Sequence, residues 1–283
     1  MNIIQSISTM QQLAMAARAE NRSLVLVPTM GFLHDGHLSL LREGRKRADL
    51  LVLSIFVNPT QFGQGEDFSD YPRDLRRDSA LAETAGVDII FAPSVSDMYP
   101  ADYATYVTVE AITEKLCGAS RPGHFRGVTT VVSKLFNIVQ PHSAIFGAKD
   151  FQQLVVIRRM TSDLNLPIEI IGMPIQREAD GLAMSSRNHY LSMEQRRQAL
   201  TLNKALAEAR KMVANGERDC SAIIERLRQL ISSQPDARID YVQICSADSL
   251  SEQESVDASS VLLLAVFVGT TRLIDNAVLG DAL

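Results

Sequence analysis

The stretch Val25-Leu-Val-Pro-Thr-Met-Gly-Phe-Leu-His-Asp-Gly-His37 decides the predicted fold class of this chain. Residues 25–27 form a continuous apolar run, which is typical of a strand covered on both faces of a parallel sheet. Pro28 and Gly31 end that strand. The leucines in 38–41 then follow a helical spacing. The stretch therefore predicts a buried strand, a tight turn and a helix.

Two histidines lie where this helix begins. His34 and His37 are three residues apart, so on a helical turn they lie on one side. Gly36 carries no side chain, so a flat ring or a phosphate can approach the backbone there. A helix start also offers unpaired N–H groups and a positive dipole end, which favour anions. We interpret the pair as phosphate ligands, with plain surface histidines as the alternative. Zinc is disfavoured because no cysteine or carboxylate cluster stands at ligand spacing.

The composition is that of an ordinary globular protein. The chain has 283 residues, of which 46% are hydrophobic and 22% charged, and a net charge of −5. The lack of a basic run argues against a nucleic-acid partner. The three cysteines are odd in number and widely spaced, which favours a reducing cytoplasm over a disulfide framework. The apolar runs are too short to span a membrane, and the polar start predicts no secretory signal.

A second apolar run at 50–57 predicts a parallel neighbour of the first strand, followed by the turn-rich loop 58–63. Ligands of such sheets bind beyond the carboxyl ends of the strands. Gln61 is therefore expected to face whatever His34 and His37 face. We expect a mobile polar flap at 66–71. The pattern also predicts a first helix at 7–20, a helix from Pro72 to about residue 85, and strands at 88–92 and 106–109.

The loop 118–127 is rich in glycine, carries Arg121 and Arg126, and precedes a helical pattern. A basic surface loop and an anion-handling loop are both compatible with it. Arg121 is the better candidate if the loop handles an anion.

Segment 144–153 repeats the opening pattern, since a strand ends at a glycine and a helix begins with polar residues. Lys149 is a compact cation beside a helix N-terminus, which suits a phosphate. Asp150 can cap the helix or bind a ribose hydroxyl. Gln152 and Gln153 suit a small hydroxy acid, but only one of them can face the site once the helix has begun.

Segment 180–188 supplies two hydroxyls and a guanidinium at Ser185, Ser186 and Arg187. The fork of an arginine matches phosphate geometry, so these residues suit a triphosphate tail. The segment is also polar enough to be an interdomain linker, and we interpret it as both.

Runs of helices followed by strands after residue 191 indicate a second, smaller unit. The pattern predicts helices at 192–214 and 217–232 and strands at 238–245, 261–268 and 271–275, after a strand at 166–171. We therefore predict a Rossmann-like, doubly wound parallel sheet at 1–178 with a smaller C-terminal α+β domain at 179–283 that covers the site.

The chain resembles one family of the nucleotidyltransferase superfamily with the His-x-Gly-His motif, namely pantothenate synthetase (pantoate–β-alanine ligase). The resemblance extends through nearly the whole chain and is strongest at 24–191. It rests on the following strings: Pro28-Thr29-Met30-Gly31, His34-Asp35-Gly36-His37, Phe56-Val57-Asn58-Pro59, Gln61-Phe62, Tyr71-Pro72-Arg73, Ser120-Arg121-Pro122-Gly123-His124-Phe125-Arg126-Gly127-Val128, Phe146-Gly147, Lys149-Asp150, Gln152-Gln153 and Ser185-Ser186-Arg187-Asn188. Ala148 departs from the family pattern, in which Glu or another polar residue is common.

The resemblance implies an ATP-dependent ligase that joins (R)-pantoate to β-alanine through pantoyl adenylate, giving pantothenate, AMP and diphosphate. It also implies Mg²⁺ with the ATP, a homodimer, and no nucleic-acid or membrane partner. The catalytic residues would be His34, His37 (the family's proton donor) and Lys149. From the chemistry, either histidine can instead act as a hydrogen-bonding cation.

The resemblance further assigns contacts to ATP and to the organic substrates. Gln61 and Gln153 would hold pantoate. The residues that would contact ATP are Met30, Gly31, Phe32, Leu33, His34, Asp35, Gly36, His37, Gly147, Ala148, Lys149, Asp150, Gln176, Met184, Ser185, Ser186 and Arg187. A cytidylyltransferase and a nucleotide sensor without turnover are the alternative functions.

Overall fold

Two sheets organise residues 1–280, the part of the chain that this computed structural model describes. The larger sheet has six parallel strands in the order β1-β4-β3-β2-β5-β6. Its strands are β1 (Asn2–Ile4), β2 (Leu24–Thr29), β3 (Leu50–Ile55), β4 (Ile89–Phe91), β5 (Ser143–Gly147) and β6 (Glu169–Met173). The strand order reverses beside β2, and a crevice at such a reversal is where open α/β sheets bind ligands.

Helices cover both faces of this sheet. They are α1 (Ile7–Ala19), α2 (Asp35–Arg47), α3 (Leu75–Thr84), α4 (Val95–Met98), α5 (Cys117–Ser120), α6 (His124–Val139) and α7 (Phe151–Asp163). Leu24 and Leu26 pack with α1 and α6, whereas Val25 and Val27 pack with α2 and α3. The strand predicted to be buried on both faces is therefore confirmed.

The smaller sheet is antiparallel, with the order β7-β8-β9 within the described residues. It contains β7 (Ala237–Ser246), β8 (Ser260–Val268) and β9 (Thr271–Val278), and it packs against α8 (Met193–Ala214) and α9 (Cys220–Ser232). The predicted fold class is confirmed. The division at residue 178 stays a prediction, although Leu182 already packs with this second core.

Several predicted elements need correction. The strand expected at 106–109 is wrong, because the backbone of Val107 bonds to the hydroxyls of Thr129 and Thr130 on α6 instead of to another strand. The helix expected from Pro72 begins at Leu75, since the Asp74 side chain caps it. The strand expected at 166–171 lies at Glu169–Met173. The three-residue strand β1 was not predicted.

Among the described helices, none combines the length and apolar character that crossing a bilayer requires.

Candidate active site

A cleft of about 250 Å³ opens beyond the carboxyl ends of β2, β3 and β5. It brings together residues from all of the segments that the sequence singled out. The predicted residues in its wall are Met30, His34, Gly36, His37, Gln61, Arg121, Gly147, Lys149, Asp150, Gln153, Gln176, Met184, Ser185, Ser186 and Arg187.

Five predicted ATP-binding residues lie outside the described wall of this cleft: Gly31, Phe32, Leu33, Asp35 and Ala148. The first three form the turn after β2. The backbone N–H groups of Phe32 and Leu33 donate to the two carboxylate oxygens of Asp78, each at 2.7 Å. These residues therefore shape the entry to α2, and their contact with nucleotide stays a prediction. Sequence reasoning missed Asp78, which is a buried acid inside a polar helix.

The histidine pair forms a reciprocal cap at the start of α2. His34 Nδ1 accepts a hydrogen bond from the Gly36 N–H at 3.1 Å, and His37 Nδ1 accepts one from the His34 N–H at 3.3 Å. The two ring centroids are 4.0 Å apart. Because both Nδ1 atoms serve as acceptors, the proton of each neutral ring stands on Nε2, where it is available to a ligand.

Burial and nearby positive charge keep both rings neutral. Burial, and then Lys149, lower the pKa of His34 from 6.5 to about 4. Burial, and then His34 and Lys149, lower the pKa of His37 to about 3. The lowered pKa values favour two uncharged N–H donors at neutral pH in the absence of ligand, and the role of either ring as a cation toward a phosphate stays a prediction.

Gly36 is required by the close approach of the His34 ring. A Cβ atom at Gly36 would lie 2.8 Å from His34 Cε1, which real Cβ atoms essentially never show. Any larger residue would push the ring out of its capping position. Gly36 therefore leaves the space that the His34 ring needs to cap the helix.

Asn58 places Gln61 in the cleft. Asn58 is buried, and its amide nitrogen donates to Gln61 Oε1 at 3.0 Å and to the Gly127 carbonyl at 3.1 Å. A Cβ at Gly127 would meet the Thr60 carbonyl oxygen at 2.3 Å, so α6 can begin this close to the loop only with glycine there. Asn58 lies in one of the strings that carry the family resemblance, but an asparagine there does not by itself indicate that it positions Gln61.

As expected, only one of the two neighbouring glutamines faces the cleft. Gln152 is buried, accepts from the Cys117 N–H at 3.0 Å and donates to two backbone carbonyls of the loop before α5. Gln153 lines the cleft beside Lys149. Asp150 precedes α7, but within residues 1–280 its side chain makes no capping hydrogen bond, so the capping alternative is wrong.

Two carboxylates of the 66–71 segment hold the two arginines of the cleft. Arg121 makes a bidentate pair with Glu66, at 2.7 and 2.6 Å. Arg187 makes another with Asp67, at 3.1 and 2.8 Å. The segment expected to be a flap is anchored by these pairs, which occupy Nε and Nη2 of each guanidinium.

His124 was missed as part of this arrangement. Its Nδ1 lies 2.8 Å from the Gln61 carbonyl, and its Nε2 lies 3.2 Å from Arg121 Nη1. Burial, and then Arg121, lower its pKa to about 4. A neutral ring that donates to the carbonyl and accepts from Arg121 ties the arginine to the Gln61 loop. The available signals were its place in the glycine-rich loop and in one of the strings that carry the family resemblance.

The described residues include no group of three or more His, Cys, Asp or Glu side chains that could hold a metal ion.

Known proteins resemble this chain over its full length. The sequence model of the Pantoate-beta-alanine ligase family matches residues 2–278. Pantothenate synthetase of Syntrophus aciditrophicus (strain SB) is 58% identical, covering 100% of this chain and 99% of its own. That of Geotalea daltonii is 59% identical over 281 residues, covering 99% and 100%.

Solved structures give the same match. The crystal structure of pantothenate synthetase from Thermus thermophilus superposes with a TM-score of 0.93 at 43% identity, covering 99% of this chain and 100% of that one. The pantoate-beta-alanine ligase of Francisella tularensis, complexed with beta-gamma ATP and beta-alanine, gives 0.83 at 33% identity, covering 98% and 97%.

Proposed function

Since this chain belongs to the pantoate–β-alanine ligase family, we propose how the residues of its cleft divide the work of that reaction. The enzyme condenses pantoate with β-alanine at the expense of ATP and forms pantothenate, AMP and diphosphate through pantoyl adenylate. Family membership excludes the two alternative functions, a cytidylyltransferase and a nucleotide sensor without turnover.

In the first half-reaction, a carboxylate oxygen of pantoate attacks the α-phosphorus of ATP. The bond from that phosphorus to the bridging oxygen breaks, and diphosphate leaves with the electron pair. Catalysis of such a step is mostly alignment and charge stabilisation. Lys149 supplies a positive charge at the α-phosphate. His34 and His37 donate from Nε2 to phosphate oxygens, so neither ring needs to carry a charge or give up its proton.

Ser185, Ser186 and Arg187 are assigned to the β- and γ-phosphates. The guanidinium of Arg187, which forms an ion pair with Asp67, would turn toward the phosphates when ATP binds. Asp150 is assigned to the ribose, since its carboxylate lines the cleft and is not used as a helix cap. Gln61 and Gln153 are assigned to the oxygens of pantoate.

In the second half-reaction, the amine of β-alanine attacks the carbonyl carbon of the adenylate. The C–O bond to AMP breaks, AMP leaves with the electron pair, and the nitrogen loses a proton. The adenylate makes this possible because a free carboxylate carries a charge that repels a nucleophile, whereas the mixed anhydride does not.

Mg²⁺ fits the cleft as an ion carried by ATP. This cation usually keeps several waters and binds substrate phosphates with one or two carboxylates, so it needs no cage of protein ligands. Asp150 is the one carboxylate among the described residues of the cleft wall and is assigned to the ribose, so the ion would be held by phosphate oxygens and water. Bound Mg²⁺ would neutralise charge that develops on the leaving diphosphate.

We also propose a homodimer, as the family resemblance implies. A cytoplasmic location is proposed from Cys117, Cys220 and Cys245, which are free thiols in the described chain and suit a reducing compartment.

One observation carries the assignment: four segments far apart in sequence meet in one cleft. These are the histidine pair, the Gln61 loop, the Lys149 turn and 185–187. The test supplies ATP, pantoate and β-alanine and measures AMP, diphosphate and pantothenate together. Without β-alanine, diphosphate should form in an amount equal to the enzyme. Diphosphate formation that does not require pantoate would contradict the proposal.

A further inference from the structure

Asn276 on β9 reaches from the small sheet to the turn that carries Lys149. Its amide nitrogen donates to the Ala148 carbonyl at 2.8 Å and to the Lys149 carbonyl at 3.0 Å. The side chain is buried, with 7% of its surface exposed. A single amide group therefore holds two consecutive carbonyls across the boundary between the sheets.

These carbonyls belong to the peptide groups on either side of the Lys149 Cα atom. A peptide group is planar, so the backbone has freedom only at φ and ψ. Fixing both planes fixes the direction in which the Lys149 side chain leaves the backbone. On the other side the turn is open, since a Cβ placed on Gly147 would meet no described atom within 4 Å. Ala148 packs against the core of the large sheet, and β9 supplies the side-chain hydrogen bonds to the two carbonyls of the turn.

The neighbouring Asp275 extends the contact to the segment before Ser185. Asp275, with 3% of its surface exposed, pairs with Arg177 through two hydrogen bonds of 2.7 and 3.0 Å. Arg177 also donates to the Gly181 carbonyl at 3.1 Å. The Asn276 N–H donates to Asp275 Oδ1 at 2.9 Å, which links the two arrangements. Consecutive residues of one strand therefore hold the Lys149 turn and the base of 181–187.

We propose that Asn276 is a positioning residue for adenylate formation: by holding the two carbonyls around Lys149 it aims the ammonium group at the α-phosphate. The small domain then takes part in setting the geometry of the chemical step and does more than cover the cleft. This inference rests on the role proposed above for Lys149.

The test replaces Asn276 by Ala in the full-length enzyme and measures diphosphate formation from ATP and pantoate in single turnovers. A misplacement of about 1 Å can cost on the order of 100-fold in rate, so we expect a loss of about 10-fold or more with the KM for β-alanine unchanged. Leu273→Val is the matched control, because Leu273 lies on the same strand in the small core. It should lower the melting temperature and leave the rate unchanged.

A double-mutant cycle separates positioning from general damage. Because Asn276 is inferred to act through Lys149, Asn276→Ala should cost less than about 2-fold in the Lys149→Ala background, whereas independent sites would add in free energy. Full multiplication of the two losses, or an unchanged rate of the single variant, would overturn the inference. A normal rate for Lys149→Ala alone would instead overturn the proposed role of Lys149. If Asn276→Ala does not fold, Asn276→Leu, which keeps the branched shape of the side chain without its donor, carries the same cycle.

Discussion

His37 accepts a hydrogen bond through Nδ1 from the backbone N–H of His34, at 3.3 Å. This ring, which lines the cleft, is thereby held by the helix whose start it caps. The same is true of His34, which caps through Gly36. The geometry of the cleft and the stability of the helix are therefore coupled at this point, and substitutions can separate them.

His34→Ala should slow adenylate formation by about 100-fold or more, the size seen when one preorganised donor to a developing charge is lost. It should also destabilise the fold by about 1 kcal/mol, because an N-cap is removed. Single-turnover diphosphate release and thermal unfolding measure the two effects.

His34→Asn is the matched control, since Asn is a good N-cap but lacks the Nε2 donor. We expect it to recover the stability and not the rate. Recovery of the rate together with stability would show that the ring acts only as a cap.

Acid should destabilise the free enzyme well before its carboxylates titrate. The pKa values of His34 and His124 are about 4 and that of His37 about 3, whereas an unfolded histidine titrates near 6.5. Between pH 6.5 and 4 the unfolded chain binds more protons than the native one, so the free energy of unfolding falls as pH falls. Denaturant unfolding at a series of pH values checks this.

The comparison variant is His34→Asn, whose stability should fall less steeply over the same pH range. NMR titration of the ring signals gives a second measurement. A ring of His34 or His37 that titrates near 6.5 in the native state would contradict the neutral pair.

Asp67→Asn should tighten ATP binding, because a carboxylate no longer competes with the phosphates for Arg187. Partly exposed ion pairs are worth up to about 1 kcal/mol, so we expect a decrease in the dissociation constant of at most about 5-fold. Calorimetry with ATP is the measurement. Asp70→Asn, an exposed acid of the same segment, should leave the constant unchanged. Weaker binding by Asp67→Asn would mean that Asp67 belongs to the ligand-bound site.

Much of this fold could be predicted because its signals are local. A buried strand, a glycine turn and a polar helix start are each written within a dozen residues, as in 25–41 and 144–153. The errors lie where tertiary contacts override local pattern. Residues 106–109 are apolar enough for a strand, but threonine hydroxyls of α6 occupy the backbone groups of Val107.

The candidate site shows the same contrast between local signals and tertiary contacts. Residues at the ends of strands were predicted, because topology brings those ends to one edge. Asp78 and Asn276 were not, because each acts through a partner distant in sequence: Asn276 is 128 residues from Ala148. Asn58 was also missed, because it holds the nearby Gln61 against the Gly127 carbonyl, which is 69 residues away. Nothing in the sequence around a buried amide or acid indicates which distant carbonyl or N–H it will meet.

The adjacent residues Gln152 and Gln153 should give opposite results when replaced by Ala. Gln153 lines the cleft, so its loss should raise the KM for pantoate and leave the melting temperature nearly unchanged. Gln152 is buried with three hydrogen bonds to backbone groups, so its loss should destabilise the fold by about 1–3 kcal/mol, because those groups are left unpaired. The folded fraction of Gln152→Ala should keep the normal KM for pantoate.

Initial rates at varied pantoate and thermal unfolding of both variants distinguish the two roles. An unchanged pantoate dependence for Gln153→Ala would remove that residue from the pocket, and a raised KM for Gln152→Ala would show that the first turn of α7 does not separate the two amides.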